Sequence, residues 1–446
     1  MFDQLIDGRR IGRRQTIIFA LCLVMLIIDG MDFQLLAFAS PVLLTDWKIT
    51  KSQLAPALAA ALFGMSIGAA FGGLAGDRFG CRRILTLFVA AFGITTLGTA
   101  LATGVSELAV MRFLSGLGFG VAVPTAMALA SEWCPRKRRG QLVVLLSIGT
   151  VAGGTLGGLL SSWLIPTFGW HSIFIVSGGL TLLSALVSIV YLPESLSFLV
   201  RKGRQSAADA WFTRVMGRTV ATSGDIATDA WGRPELTGAG SRLLSAGNLR
   251  VNVGLWIGIF SISFASYAFM SWTPAVLVGA GLGLLAAIKC TSIYTFAAAT
   301  GVLAGAVCLP RLGSLRILIG SIALTIVATV ALPSILSNGT PGKGIVEVAM
   351  LLAGFGGGMS TSTIYALAAM AYPATYRSTG IGICVGLSRG GGICSVLSGG
   401  VVLELSGAGG GVFFSVIACF LVTGLIGLTT MDRHISTRVV AHRVSV

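Results

Sequence analysis

The sequence predicts an all-helical integral membrane protein with twelve transmembrane helices arranged as two pseudo-symmetric six-helix bundles. Of the 446 residues, 54% are hydrophobic and only 11% are charged, whereas a soluble chain carries about 25% charged residues. The apolar residues form twelve long runs, and one long hydrophilic stretch divides these runs six and six. We therefore expect lipid around most of the chain, which excludes a soluble enzyme or a nucleic-acid binder.

Each of the twelve runs is long enough to cross a bilayer, which requires about 20 mostly apolar residues. They cover residues 17–40, 52–76, 84–103, 107–131, 140–165, 170–192, 251–279, 285–309, 314–336, 345–371, 378–404 and 409–431. The first run carries Asp29 and Asp32 and continues to Ser40. It is therefore interpreted as a membrane helix rather than a cleaved signal peptide.

The positions of the lysines and arginines predict how these spans are oriented, because basic loops are retained on the cytoplasmic side. Most of the 31 basic residues fall in the N-terminal segment, in alternate loops, in the central stretch and in the C-terminal tail. Both termini of this multi-pass protein are therefore predicted to be cytoplasmic. The net charge of +15 is explained by this topology, since the basic clusters do not form the continuous face that binds nucleic acid.

The central hydrophilic stretch divides the chain into three predicted parts. Residues 1–193 form the first bundle, residues 194–250 a cytoplasmic loop, and residues 251–446 the second bundle with a cytoplasmic tail. The halves also repeat, because DRFGCRR at residues 77–83 corresponds to PRLGSLR at residues 310–316. Parallel six-helix repeats are typical of one large class of secondary transporters, in which substrate binds near mid-membrane between the halves.

Several motifs at these positions resemble those of the major facilitator superfamily. The segment GLAGDRFGCRR at residues 73–83 is similar to its signature between the second and third helices. More narrowly, DGMD at 29–32, RFLSGLGFG at 112–120, LPES at 192–195 and SWTP at 271–274 resemble the aromatic acid:proton symporter family. The resemblance implies proton-coupled import of a small aromatic carboxylate across a bacterial inner membrane, by a monomer that uses no cofactor.

Asp29 and Asp32 are the predicted proton-coupling residues. They lie three positions apart in an apolar helix and therefore project from nearly the same face. A charged side chain near the bilayer centre costs at least about 2.5 kcal/mol on insertion scales, and burial favours the protonated carboxyl. The alternative is a structural pair that caps polar groups or forms a salt bridge with an arginine.

Arg112 and Arg389 are placed inside predicted spans and are candidate substrate ligands. A guanidinium can donate two parallel hydrogen bonds to a carboxylate and can stack on an aromatic ring. An aromatic acid offers both groups. The alternative for Arg389 is an ion pair with Asp29 or Asp32, and the alternative for Arg112 is a structural anchor.

Aromatic side chains near the expected cavity are candidates to hold the ring of the substrate. The predicted substrate contacts are Phe33, Trp272 and Tyr365, and Tyr267, Tyr294 and Phe355 are further candidates. Helix packing or anchoring at the membrane interface is the alternative for each ring.

Asp77, Arg78 and Glu132 are predicted to form a cytoplasmic gate. An acidic group beside helix ends and basic loops can latch one conformation and release it in the other. The second-half copy of the motif carries Pro310 in place of Asp77, so any gate that uses this carboxylate is predicted in the first half alone. Retention of basic residues on the cytoplasmic side is the simpler explanation for the neighbouring arginines.

Other functions stay open from the sequence: proton symport of another organic acid or a sugar, proton-driven efflux, or a membrane-bound enzyme or receptor. The run GTVAGGTLGG at residues 149–158 resembles a signature of drug:proton antiporters, but Gly154 replaces its proline, which weakens the efflux interpretation. The sequence contains no recognisable nucleotide-binding loop, metal-ligand cluster or catalytic triad. We therefore predict neither a metal nor an enzymatic activity.

Overall fold

A computed structural model of the chain describes residues 11–217, 248–337, 343–372, 377–405 and 410–435. The description covers only the backbone at nine positions within these ranges: Leu74, Asp77, Arg136, Lys137, Gly140, Val144, Ser337, Arg377 and Ser378. Residues 218–247 of the predicted central loop and the two extreme termini lie outside the described residues.

The described ranges form fourteen helices, of which twelve are long and apolar enough to cross a membrane. The first eight are α1 Arg13–Asp46, α2 Lys51–Phe79, α3 Cys81–Thr99, α4 Val105–Glu132, α5 Arg136–Phe168, α6 His171–Tyr191, α7 Leu196–Arg201 and α8 Gln205–Met216. The remaining six are α9 Leu249–Gly279, α10 Leu284–Leu312, α11 Ser314–Ser337, α12 Lys343–Ala371, α13 Arg377–Leu405 and α14 Gly411–Thr429. All but the short helices α7 and α8 are candidate spans, which confirms the predicted twelve-helix membrane fold.

The beginning of the predicted central loop is helical rather than irregular. Helices α7 and α8 contribute Phe198, Ala208 and Phe212 to an apolar cluster that also contains Trp133. Ala208 and Phe212 are four positions apart and therefore lie on one face of α8. The polar composition of this stretch concealed that apolar face. Burial of the Phe212 ring stabilises a helix where the sequence predicts a loop.

Close packing of α2 against α4 is repeated between α10 and α12. A Cβ atom at Gly116 or Gly120 would collide with the backbone of α2, and a Cβ atom at Gly354 or Gly358 would collide with the backbone of α10. The second pair of glycines follows the first by 238 positions. Small residues allow membrane helices to approach closely, so the internal repeat seen in the sequence is also present in the helix packing.

The chain divides into two compact units whose boundaries cut across three helices. One unit comprises residues 1–33, 60–153 and 171–233, and the other comprises residues 34–59, 154–170 and 234–446. Helices α1, α2 and α5 therefore contribute residues to both units. The division of the protein into functional halves at residues 193 and 251 stays a prediction.

Candidate functional site

Asp32 of α1 and Arg112 of α4 form a buried ion pair. Arg112 Nη1 lies 3.0 Å from Asp32 Oδ2. The side chain of Asp32 is 3% exposed and that of Arg112 is 2% exposed. Arg112 Nη2 donates to Thr99 Oγ1 at 3.1 Å, and its guanidinium carbon lies 5.1 Å from the centre of the Phe174 ring. Because a buried charge requires compensating partners, these contacts anchor Arg112 at Asp32. The structure thus pairs Asp32 with an arginine, which is the alternative that the sequence left open for this acid.

Asp29 lies one helical turn before Asp32 and is 1% exposed. Neither of its carboxylate oxygens has a hydrogen-bond partner among the residues that the structure describes. An ionised carboxylate at this position would therefore carry an uncompensated buried charge. The two acids of the DGMD motif consequently occupy different environments, because Asp32 is paired with Arg112 whereas Asp29 has no hydrogen-bond partner in the described part of the chain.

The glycine between these acids allows α1 to approach α5. A Cβ atom at Gly30 would collide with the backbone carbonyl of Thr150, so the motif combines two acidic positions with one position of close helix contact. The predicted substrate contact Phe33 follows on the same helix and is partly buried. Its ring centre lies 6.4 Å from that of Phe119 in a tilted arrangement.

A second polar cluster is formed by side chains of α9, α12 and α13. Arg389 Nη1 donates a hydrogen bond to the hydroxyl of Tyr267. Ser388 accepts a hydrogen bond from Ser263 at 2.8 Å and is also hydrogen-bonded to Tyr365. Ser263 and Ser388 are buried, whereas Tyr267, Tyr365 and Arg389 are partly exposed. The structure therefore brings Arg389 and Tyr365, two predicted substrate residues, into one cluster.

Trp272, the third aromatic residue predicted to contact substrate, is fully buried. Its indole Nε1 donates to the backbone carbonyl of Val396 in α13 at 3.1 Å. Gly399 leaves room for the indole, since a Cβ atom there would lie 2.6 Å from Nε1. In this conformation the Trp272 ring has no exposed surface. This burial is expected if the ring packs between helices rather than contacting substrate.

Glu132, predicted as part of a gate, binds the N-terminal end of α7. It accepts hydrogen bonds from Ser195 Oγ at 2.9 Å, from the backbone N–H of Leu196 at 3.1 Å and from the Ser197 hydroxyl. The contact with Leu196 satisfies one of the backbone N–H groups that the first turn of a helix leaves free, and the two serine hydroxyls add side-chain donors to the same carboxylate.

The other two predicted gate residues differ from Glu132 in their surroundings. Arg78 is exposed, and its guanidinium carbon lies 5.4 Å from the centre of the Phe79 ring. The side chain of Asp77 lies outside the described residues. The gate assigned to these three residues therefore stays a prediction.

Glu194 was not among the predicted site residues, but it caps α3. Its Oε1 accepts the backbone N–H of Arg82 at 2.9 Å, beside Gly80, whose φ of +103° is favourable only for glycine. The sequence shows an acid in the LPES segment, but this segment lies far from α3 along the chain. That Glu194 binds the first turn of α3 is visible only in the fold.

Glu194→Ala is expected to lower the free energy of unfolding by about 1 kcal/mol, because loss of a helix N-cap has this typical effect. Thermal unfolding of the purified protein in detergent measures the change. Glu347→Ala is the matched control, since Glu347 forms a peripheral ion pair with Lys289 and such pairs contribute little. Equal destabilisation by the two variants would contradict the capping role of Glu194.

Gln34 of α1 was also missed by sequence reasoning. It is 1% exposed, and its Nε2 donates to the backbone carbonyl of Met270 in α9 at 2.9 Å. A signal was present, because Gln34 is an amide inside an apolar run only two positions after Asp32. The two acids beside it are the stronger signal in this helix.

These observations define the class of the protein. In the described ranges, no group of three or more His, Cys, Asp or Glu side chains is placed to hold a metal ion. Twelve apolar helices, a repeated helix packing and polar clusters inside the spans are the features of a multi-pass secondary transporter, not of an enzyme. Residues 22–396 match the sequence profile of the Major Facilitator Superfamily. The chain belongs to this superfamily.

Relatives of known function support the same class. The chain is 32% identical over 90% of its length to a 4-hydroxybenzoate transporter of Acinetobacter baylyi, of which it covers 87%. It is 30% identical over 90% of its length to a gallate transporter of Pseudomonas putida, of which it covers 88%. It is 28% identical over 94% of its length to a 3-(3-hydroxy-phenyl)propionate transporter of Escherichia coli, of which it covers 95%. The predicted resemblance to aromatic acid transporters is confirmed.

A solved structure supports the fold. The xylose transporter XylE of E. coli, in a partially occluded inward-open conformation, matches with a TM-score of 0.73 and 19% identity over 93% of this chain and 99% of that chain. At this level of identity the likeness establishes the fold alone. The predicted major facilitator fold is confirmed by this match together with the family profile.

Proposed function

We propose that the protein is a proton-coupled symporter that imports a small aromatic carboxylate by alternating access. The observation that carries the proposal is the buried Asp29, whose carboxylate has no hydrogen-bond partner among the described residues and which lies one turn from the Asp32–Arg112 ion pair. The substrate class, a hydroxybenzoate or a phenylpropanoid acid, is supported by the names of the relatives. In this proposal the protein works as a monomer in a bacterial inner membrane, with both termini in the cytoplasm.

Asp29 is the proposed proton acceptor. When it is buried without a partner, the neutral acid is the form of lower free energy. When the transporter opens and water reaches Asp29, the carboxylate is solvated and the proton is released or taken up. Asp32 takes part through Arg112, because any change in that ion pair alters the charge that Asp29 faces one turn away.

Arg389 is the proposed ligand of the substrate carboxylate. A guanidinium carries five N–H donors, so the hydrogen bond to Tyr267 leaves donors for a carboxylate. Tyr365 and Ser388 place two hydroxyl groups in the same cluster, and each of the three named relatives transports an acid whose ring carries a hydroxyl group. We therefore propose that this cluster binds both the carboxylate and a ring hydroxyl.

The other predicted site residues have different roles in this proposal. Arg112 acts as the partner of Asp32 rather than as a direct substrate ligand, because its guanidinium is buried and already bound. Trp272 supports the contact between α9 and α13, whereas Phe33 is retained as a candidate ring contact. Glu132 holds α7, and its proposed gating role depends on whether that contact breaks during transport.

Uptake of labelled 4-hydroxybenzoate by cells expressing the protein tests the proposal. We expect accumulation above the equilibrium level, and we expect a protonophore to abolish it. Uptake of xylose or of an aliphatic acid in place of the aromatic acid would support the alternative symporters. Retention of more label after addition of the protonophore would instead indicate proton-driven efflux.

A further inference from the structure

Helix α9 contains a backbone acceptor that a proline has freed. Pro274 lies inside this helix, and proline has no N–H with which to bond the carbonyl four residues earlier. That carbonyl belongs to Met270, and it accepts the hydrogen bond from Gln34 Nε2 at 2.9 Å. A side chain of α1 thus supplies the donor that Pro274 removes from α9.

The burial of Gln34 indicates that this contact has a purpose beyond filling space. Its Oε1 has no hydrogen-bond partner in the described part of the chain. A buried amide that is only half satisfied is less favourable than an apolar side chain of similar volume. The hydrogen bond to Met270 is therefore the contact that distinguishes glutamine from methionine or leucine at this position.

Other contacts in the same compact unit also join the first half of the sequence to the second. The backbone N–H of Ser52 donates to Glu404 at 2.9 Å, and the hydroxyls of Thr155 and Thr295 lie 3.1 Å apart. All of these residues belong to the unit that contains Gln34. In the predicted topology they lie in the external half of the membrane, where contacts between the two halves of the sequence are of the kind that closes the external side in alternating access.

We propose that Gln34 is a positioning residue of the transport cycle, which holds the external side closed by donating to the Met270 carbonyl freed by Pro274. The inference rests on the proposed transport function. The acceptor persists in every conformation because proline can never bond it. When the external side opens, water replaces Gln34 as the donor at similar enthalpy. A contact that exchanges readily with water is suited to an element with two stable arrangements.

Gln34→Met, which is close in volume but apolar, tests this role in proteoliposomes with an imposed pH gradient. We expect Vmax for the aromatic carboxylate to fall about tenfold, the loss that corresponds to about 1.4 kcal/mol, whereas KM should not rise. Closure of the external side then becomes slow, but the substrate site is intact. A rise in KM with unchanged Vmax would overturn the proposal, because it would make Gln34 a substrate ligand.

Pro274→Ala provides the decisive partner variant. An alanine at this position returns an N–H to the Met270 carbonyl, so that Gln34 is no longer needed as a donor. We expect the double variant Q34M/P274A to transport several-fold faster than Q34M alone, which is a non-additive result for neighbouring positions. Additive losses in the double variant would overturn the proposal.

Two control variants separate this link from general effects of the substitutions. Gln15 is also buried and donates Nε2 to a backbone carbonyl, that of Trp133, at 2.8 Å. We expect no rescue of Gln15→Met by Pro274→Ala. Pro124→Ala, which alters a different helix, should likewise fail to rescue Gln34→Met. Rescue in either control would show that the effect is not specific to the contact.

A measurement without substrate separates this inference from the proposed function. The same cycle of variants is followed by thermal unfolding in detergent, or by the amount of folded protein in the membrane if Gln34→Met expresses poorly. Rescue of stability in Q34M/P274A without any uptake of aromatic acids by the wild type would reject the proposed function and retain the contact. Normal uptake by the wild type with no rescue in either measurement would reject the role of Gln34.

Discussion

Asp29→Asn is expected to abolish proton-driven accumulation of the aromatic carboxylate while exchange of substrate across the membrane continues. Asparagine has nearly the shape of the protonated acid but cannot release a proton. The native carboxylate oxygens have no hydrogen-bond partner within the described ranges, so the substitution breaks no such contact there. Counterflow and uphill uptake in proteoliposomes measure the two activities separately.

Asp32→Asn should behave differently, because it leaves the buried charge of Arg112 without its partner. Loss of one member of a buried pair typically destabilises a protein by about 3–5 kcal/mol. We therefore expect less folded protein in the membrane. The double variant D32N/R112M removes both charges and should restore the amount of folded protein, but it should not restore accumulation.

Asp46→Asn is the matched control, since Asp46 is an exposed acid at the end of the same helix. It should accumulate substrate as the wild type does. Full accumulation by Asp29→Asn at normal protein levels would exclude Asp29 as the proton acceptor. Recovery of accumulation in D32N/R112M would show that this ion pair has a purely structural role.

Arg389→Lys is expected to raise the KM for the aromatic carboxylate at least about tenfold, because a hydrogen bond to a charged group contributes about 1.5–3 kcal/mol. Lysine keeps the positive charge but loses the planar pair of donors that matches a carboxylate. The guanidinium also makes the contact with Tyr267. The initial rate of uptake as a function of substrate concentration measures the effect.

Two further variants define how this result is interpreted. Tyr267→Phe removes the hydroxyl that Arg389 contacts and should raise KM less than Arg389→Lys does. Arg250→Lys changes an exposed arginine, whose ion pair with Asp432 lies at the surface, and should leave KM unchanged. An unaltered KM in Arg389→Lys would rule out recognition of the carboxylate by two parallel hydrogen bonds.

The sequence predicted the fold well because membrane spans are encoded locally. A run of about 20 apolar residues is sufficient to identify a span, and all twelve predicted runs correspond to helices of the structure. The local rule failed at α8, where a mixed composition concealed the face formed by Ala208 and Phe212. Local hydropathy also identified Asp29 and Asp32 as unusual, because acids inside an apolar run can be recognised without any knowledge of their partners.

The sequence by itself therefore determined the membrane class, the number of spans and the positions at which charge is buried. Only the tertiary structure decided which groups meet: that Asp32 pairs with Arg112, that Arg389 contacts Tyr267, and that Gln34 bonds the carbonyl freed in α9. The physical reason is that hydropathy is summed over neighbours along the chain. Hydrogen bonds and ion pairs instead require distances near 3 Å between residues that are brought together only by the packing of separate helices.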